Sequence, residues 1–118
     1  MDVRLFPMAD GLDDTVVQPD VFVVCDKSRL SDGKACRGAP DFVVEVVSSS
    51  SKMIDRVKKD LYRKAGVKEY WMIGPDRLCT YILTDGDYPE TIYKINSSSN
   101  LEIPVSVLSG CIIKMAPL

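Results

Sequence analysis

The chain has no histidine. That absence removes the Ser-His-Asp and Cys-His mechanisms, in which imidazole activates the nucleophile. It also removes the non-haem iron facial triad, which needs two histidines and a carboxylate. Four cysteines are present, Cys25, Cys36, Cys79 and Cys111, but no two of them make a Cys-x-x-Cys pair. Without that pair and without histidine, a zinc site has too few soft or nitrogen ligands. The cysteines read as free thiols, mostly buried, in a reducing compartment. Long hydrophobic runs are missing as well, so no segment is suited to crossing a bilayer. The first residues lack the charged-then-apolar order of a signal peptide, and the expected location is the cytoplasm. Excess positive charge is absent too: the formal net charge is -2. Contact with nucleic acid would have to come from a local basic patch. What remains for chemistry is carboxylates, lysines, hydroxyls and metals with oxygen ligands.

The 118 residues fit one domain, and a hydrophobic share of 46% is enough to bury a core. No internal repeat is evident. Val3 to Phe6 is a short apolar stretch ended by Pro7, and 9–15 reads as an acidic loop. Val16 to Val24 is rich in β-formers, and its continuous run Val21 to Val24 predicts a strand buried on both faces. Asp26 to Pro40, with Gly33 and Gly38, reads as a loop. Phe42 to Val47 predicts a second strand, and Ser50 or Ser51 can cap the helix after it. From Met53 to Ala65 the apolar residues Ile54, Val57, Leu61 and Ala65 recur with helical period, and Gly66 is placed to end the helix. Tyr70 to Ile73 and Leu78 to Leu83, joined through Gly74, Pro75 and Asp76, predict a hairpin. A turn over Asp85 to Pro89 and a strand over Thr91 to Ile95 follow. After the polar turn Ser97 to Asn100, Leu101 to Ile103 reads as a continuation of the sheet. Pro104 to Leu108 reads as a short helical turn and Cys111 to Lys114 as a last strand. This order predicts an α/β or α+β fold with few helices.

Polar residues that interrupt apolar strands are the candidates for function. Asp20 opens Val21 to Val24, directly after Gln18 and Pro19. Glu45 sits inside Phe42 to Val47, and alternation along a strand puts Asp41, Val43, Glu45 and Val47 on one face. A carboxylate in such a strand is costly to bury alone, so it faces a cation, a metal or solvent. A salt-bridged or solvent-facing Glu45 and a functional one both fit this pattern. The helix supplies cations, and Lys58 or Lys59 can point back over the strand that carries Glu45. For most of Lys52, Arg56, Lys58, Lys59, Arg63, Lys64 and Lys68, a solvated helix face is the simpler account. Tyr62, Tyr70 and Trp71 fall in periodic apolar segments and read as core rather than as platforms for bases. The serine tract reads as loop and cap, because no base is at hand to activate a hydroxyl.

Taken together, Val17-Gln18-Pro19-Asp20, then Gly38 through Asp41-Phe42-Val43-Val44-Glu45-Val46-Val47-Ser48, then Asp55, Lys58 or Lys59, Tyr62 and Ala65-Gly66-Val67-Lys68-Glu69-Tyr70-Trp71 make a recognisable pattern. It resembles the Uma-two family of restriction-endonuclease-like proteins, of the PD-(D/E)xK type. The resemblance runs from about Val3 to beyond Leu83, and its most specific part is Gly66 to Trp71 with Tyr62 before it. It implies a mixed central sheet with a flanking helix. It also implies a metal-dependent endonuclease that hydrolyses phosphodiester bonds of nucleic acid, DNA first. Asp20 would be the acid of the Pro-Asp motif and Glu45 the second acid. With the backbone of Val46 they would hold Mg²⁺ or Mn²⁺. The usual lysine two residues after the second acid falls on Val47, so the resemblance moves that role to the helix. Counting back four from Tyr62 gives Lys58, and counting forward four from Asp55 gives Lys59. Helix spacing is harder to change than loop length, which favours Lys58.

This chain departs from the family pattern in three places. Ser48 to Ser51 lacks the usual proline, and Gly74 stands where an aspartate is common. Family members also carry further N-terminal segments, including a helix with an acid that joins the site. The present chain starts at what reads as an internal strand, so the expectation is a single domain over 1–118, truncated at its N-terminus. A bare sheet edge would then invite a homodimer. Two other readings stay open: a nuclease fold that binds or regulates without cleaving, and a truncated product stable only as an oligomer.

Overall fold

The computed structural model describes residues 2–6, 16–30, 33, 35–47, 52–96 and 98–115, the side chains of 52–55 excepted. The predicted loop over 9–15 and the serine cap lie outside the described residues. Within them are ten strands and one α-helix. In chain order these are β1 (Asp2–Arg4), β2 (Val16–Val17), β3 (Val21–Val23), β4 (Ala35–Arg37), β5 (Phe42–Val46), α1 (Lys52–Ala65), β6 (Glu69–Ile73), β7 (Arg77–Ile82), β8 (Glu90–Lys94), β9 (Leu101–Pro104) and β10 (Ile112–Met115).

The centre is a five-stranded sheet in the order β3-β5-β6-β7-β8. β5 and β6 run parallel, and the other pairs are antiparallel. Parallel neighbours need a long crossover, and α1 is that crossover. β5 is the strand most enclosed, with Phe42, Val43, Val44 and Glu45 all buried. That burial explains its near-continuous apolar sequence. Its two faces serve different layers. Val43 packs with Tyr62, Val67, Tyr70 and Tyr81 on the helix side, where Val3 and Cys36 from a second sheet and Leu5 just after β1 close the same cluster. Phe42 and Val44 pack with Trp71, Leu78, Ile103 and Val105 on the other side, beneath the β9–β10 ribbon.

The helix ends as its sequence requires. Gly66 takes a φ of 87°, which a side chain would strain. The Val67 amide donates to the Tyr62 carbonyl at 3.0 Å and the Gly66 amide to Arg63 at 3.1 Å. This is the Schellman arrangement, and the buried Val67 and Tyr62 side chains share a cluster, as that motif favours. Asp85 and Gly86 both have positive φ, 50° and 82°, and they turn the chain between β7 and β8 with the pairing of a two-residue hairpin loop.

Four expectations are corrected. Val16 to Val24 is not one strand buried on both faces. Proline has no amide to give a ladder, so the run divides around Pro19. β2 joins β1, whereas β3 is an edge strand of the central sheet with Val21 53% exposed. Asp26 to Pro40 is not only loop, since it holds a short 3-10 turn over Lys27–Leu30 and strand β4, parallel to β1. Such a short strand is fixed by a distant partner and leaves little periodic signal. Leu101 to Ile103 does not extend the central sheet but pairs with β10 in a separate ribbon. The segment after Pro104 makes turns rather than a helix, with Leu108 bonded back to Val105 and Cys111 to Leu108. Of the thiols, Cys36 and Cys79 are buried, Cys111 is half-buried and Cys25 is exposed, and all four are free.

Leu78 is fully buried between the central sheet and the ribbon. Leu78→Ala should cost about 2–5 kcal/mol, the usual range for emptying such a site. The expected result in urea is a lower midpoint with an unchanged slope.

Candidate functional site

The site is built on the helix-facing side of β3 and β5. Val21 pairs with Val44 and Phe22 with Val43, so continuing the antiparallel register places Asp20 opposite Glu45. The Asp20 carboxylate accepts the Val46 amide at 2.7 Å. Ordered backbone pairing with β3 stops at Val21, and Asp20 satisfies with its side chain an amide that lies past that limit.

Glu45 is only 4% exposed. An isolated buried carboxylate would be strongly disfavoured, and two groups on α1 offset that cost. Tyr62 donates its hydroxyl to Oε1 at 2.7 Å, and the Lys58 ammonium lies 3.3 Å from Oε2. Lys58 and Tyr62 are four apart on the helix and therefore on one face, with the Lys58 end partly open to solvent. Burial, and next the hydrogen bond to Glu45, push the Tyr62 phenol well above its ordinary pKa. The Asp20 charge contributes in the same direction, which places that acid in the same electrostatic neighbourhood. Tyr62 therefore stays protonated at neutral pH and remains a donor.

The structure thus brings Asp20, Glu45, Val46 and Lys58 together. Lys59 takes another partner, with its Nζ 4.7 Å from the centroid of the Tyr81 ring. Asp41 shares the Glu45 face but has a structural task. It accepts the Cys25 amide at 2.8 Å and pairs with Lys68 at 3.6 Å, tying the start of β5 to the segments beyond β3 and before β6. Burial acts to raise its pKa, but the bond from Cys25 and the Lys68 charge prevail and hold it below the usual value. Tyr62, Tyr70 and Trp71 are core residues, each no more than 1% exposed.

Two features were not found from the sequence. Tyr62 as the hydroxyl partner of Glu45 was hidden by its apolar surroundings, although its four-residue spacing from Lys58 was a usable signal. Glu69 is a second buried carboxylate, 1% exposed, and it receives the Trp71 indole N–H at 2.7 Å and the Val107 amide at 3.0 Å. The Val107 bond anchors the chain between β9 and β10 to the central sheet, and the Trp71 bond holds Glu69 in place. No local pattern announces a bond to a residue so distant in sequence.

Asp20 and Glu45 offer hard oxygen donors, the type Mg²⁺ and Mn²⁺ prefer. Among the described residues no three His, Cys, Asp or Glu gather closely enough to form a ligand cluster. The acids fit an ion of the Mg²⁺ kind, which commonly takes one or two carboxylates and completes its shell with water and substrate oxygens.

A mixed α+β sheet with a crossover helix is compatible with a restriction-endonuclease-like fold. The comparison with protein families agrees: the Uma2 model, described as "Putative restriction endonuclease", matches residues 3–116. The chain belongs to the Uma2 family. No curated protein matches the sequence. Among the described residues no helix is long and apolar enough to cross a membrane.

Two variants probe this geometry. Tyr62→Phe keeps the ring and removes the donor to Glu45, and should lower stability by about 1–3 kcal/mol in chemical unfolding. Asp41→Asn tests the depressed carboxyl. A folded pKa below the unfolded one stabilises above the unfolded value, and that contribution is lost as pH falls through the folded one. The parent should therefore exceed Asp41→Asn in stability at pH 7. The gap should close as acid protonates Asp41, as followed by thermal melts across pH.

Proposed function

We propose that this protein is a metal-dependent nuclease that hydrolyses phosphodiester bonds of nucleic acid, with DNA the first substrate to test. The observation that carries the reading is the buried Glu45 carboxylate, set opposite Asp20 and bonded to Lys58 and Tyr62. Asp20, Glu45 and the Val46 carbonyl are the proposed ligands of Mg²⁺ or Mn²⁺. A divalent ion bound there would supply a water of lowered pKa and positive charge against the phosphate. Lys58 is the proposed catalytic cation. Its ammonium is partly exposed and can hold an attacking water or the negative charge that develops on a phosphate oxygen. Tyr62 is a positioning residue that fixes the Glu45 rotamer, leaving the second oxygen to Lys58 or an incoming ligand.

One observation favours a second reading. Both oxygens of Glu45 are already engaged, one by Tyr62 and one by Lys58, which is also how a purely structural ion pair is satisfied. On that reading the chain is a nuclease fold that binds nucleic acid or regulates without cleaving it.

Calorimetric titration with Mn²⁺, run on the parent and Glu45→Ala, separates the two. Saturable binding that Glu45→Ala abolishes, with Mg²⁺-dependent cleavage of DNA lost in the same variant, is the expected outcome. Lys58→Met should leave metal binding in place and slow cleavage by about 100-fold or more, the scale of removing one charge-stabilising group. Metal binding without turnover would favour the non-cleaving module. Cleavage by Glu45→Ala at the parent's rate would overturn the site assignment.

A further inference from the structure

Beside the acids, a pocket of about 150 Å³ is lined by Arg56, Lys59, Tyr70, Met72 and Tyr81. Met72 is the partner of Glu45 in the parallel β5–β6 ladder, so the floor of the pocket begins one strand away from the second acid. Tyr70 and Tyr81 extend that floor as stacked rings with centroids 5.6 Å apart. Arg56 and Lys59, three apart on α1, form its basic wall.

The cations are held differently from Lys58 and Arg63 of the same helix. Lys58 pairs with Glu45 and Arg63 with Asp60. Among the described residues, no ion pair joins Arg56 or Lys59 to a carboxylate. Lys59 sits over the Tyr81 ring, and Arg56 is exposed. Glu90 accepts the hydroxyl of the lining residue Tyr81 at 2.5 Å. In a chain of net charge -2, two cations on one wall of a pocket make the local basic patch that contact with a polyanion requires.

We propose that this pocket takes a phosphate of the nucleic-acid strand, one nucleotide step from the phosphodiester held at Asp20 and Glu45. Neighbouring strands of a sheet lie about 4.8 Å apart, so the pocket is close enough to the acids for one nucleic-acid strand to reach both. The pocket has room for a phosphate with part of its sugar. Because the Lys59 ammonium covers the Tyr81 ring, the contact is ionic rather than base stacking. Arg56 brings a planar fork of donors suited to phosphate oxygens, and Lys59 a point charge. This inference rests on the nucleic-acid reading above.

The test is binding of fluorescein-labelled oligonucleotides, single-stranded and duplex, in EDTA across a salt series. Arg56→Gln with Lys59→Gln is compared with Lys64→Gln plus Lys114→Gln, which removes the same charge elsewhere. The pocket pair should weaken binding at least about tenfold and lower the slope of log K against log salt by about one per cation removed. Arg56→Gln alone, at an exposed position, should give part of the loss with an unchanged melting temperature, and Arg56→Lys should restore the salt slope. If the pocket pair and the control pair bind alike, the pocket assignment is wrong while the nucleic-acid reading stands. If no oligonucleotide binds the parent but inorganic phosphate does, and only the pocket pair loses it, the site serves free phosphate and the proposal falls. Failure of the parent to bind either probe in EDTA would overturn the pocket assignment, and failure also with Ca²⁺ present would remove the nucleic-acid reading.

Discussion

The burial of one carboxylate organises this protein. Glu45 belongs to β5, the strand enclosed on both faces, and cannot leave the interior without pulling Val43 and Val44 with it. A carboxylate so placed needs hydrogen bonds and a countercharge, and both come from α1. The Glu45 contacts therefore fix the rotation of the helix over the sheet. With that rotation set, Lys58 faces the acids, Lys59 lies over Tyr81, and Tyr62 closes the tyrosine cluster against Tyr70. The polar network and the apolar cluster on this face share Tyr62, whose ring serves one and whose hydroxyl serves the other.

The opposite face solves a different problem. Short strands near the C-terminal end could not form a stable sheet alone. The β9–β10 ribbon is held by Ile103 and Val105 against Phe42, Val44, Trp71 and Leu78, and by the bond from Val107 to buried Glu69. Glu69 and Glu45 are both buried acids, yet they differ in their partners. Glu69 receives two neutral donors, whereas Glu45 receives the Tyr62 hydroxyl and pairs with a half-exposed lysine. That contrast separates an acid held by neutral donors from one that meets a countercharge.

Family membership and geometry contribute different things. The family match covers nearly the whole chain and sets the class of protein. The arrangement around Glu45 is a matter of geometry: β5 continues into Val47, and the lysine beside the acid comes from a helix. A lysine two residues beyond the acid in β5 would share its strand face. From α1 the ammonium instead arrives from above the sheet, together with Tyr62 and the neighbouring basic wall of Arg56 and Lys59. One helix thus presents these cations together, and its register against β5 is tied to a single buried acid.

Strong local signals determined much of this fold from sequence alone. The apolar run of β5, the period of α1, the glycine that ends it and the β6–β7 hairpin are each encoded by residues close together, because backbone sterics and side-chain alternation act over a few positions. The anomalous acids Asp20 and Glu45 were visible for the same reason, as charges inside apolar stretches. The tertiary structure alone decided where the run from Val16 to Val24 divides, that β4 pairs with β1, and that β9 and β10 form their own ribbon. It also chose Lys58 over Lys59 for Glu45 and gave Tyr62 its partner. Adjacent lysines have the same composition and nearly the same local pattern. Only the angle at which the helix meets the sheet distinguishes them, and that angle is set by packing between residues far apart in the chain.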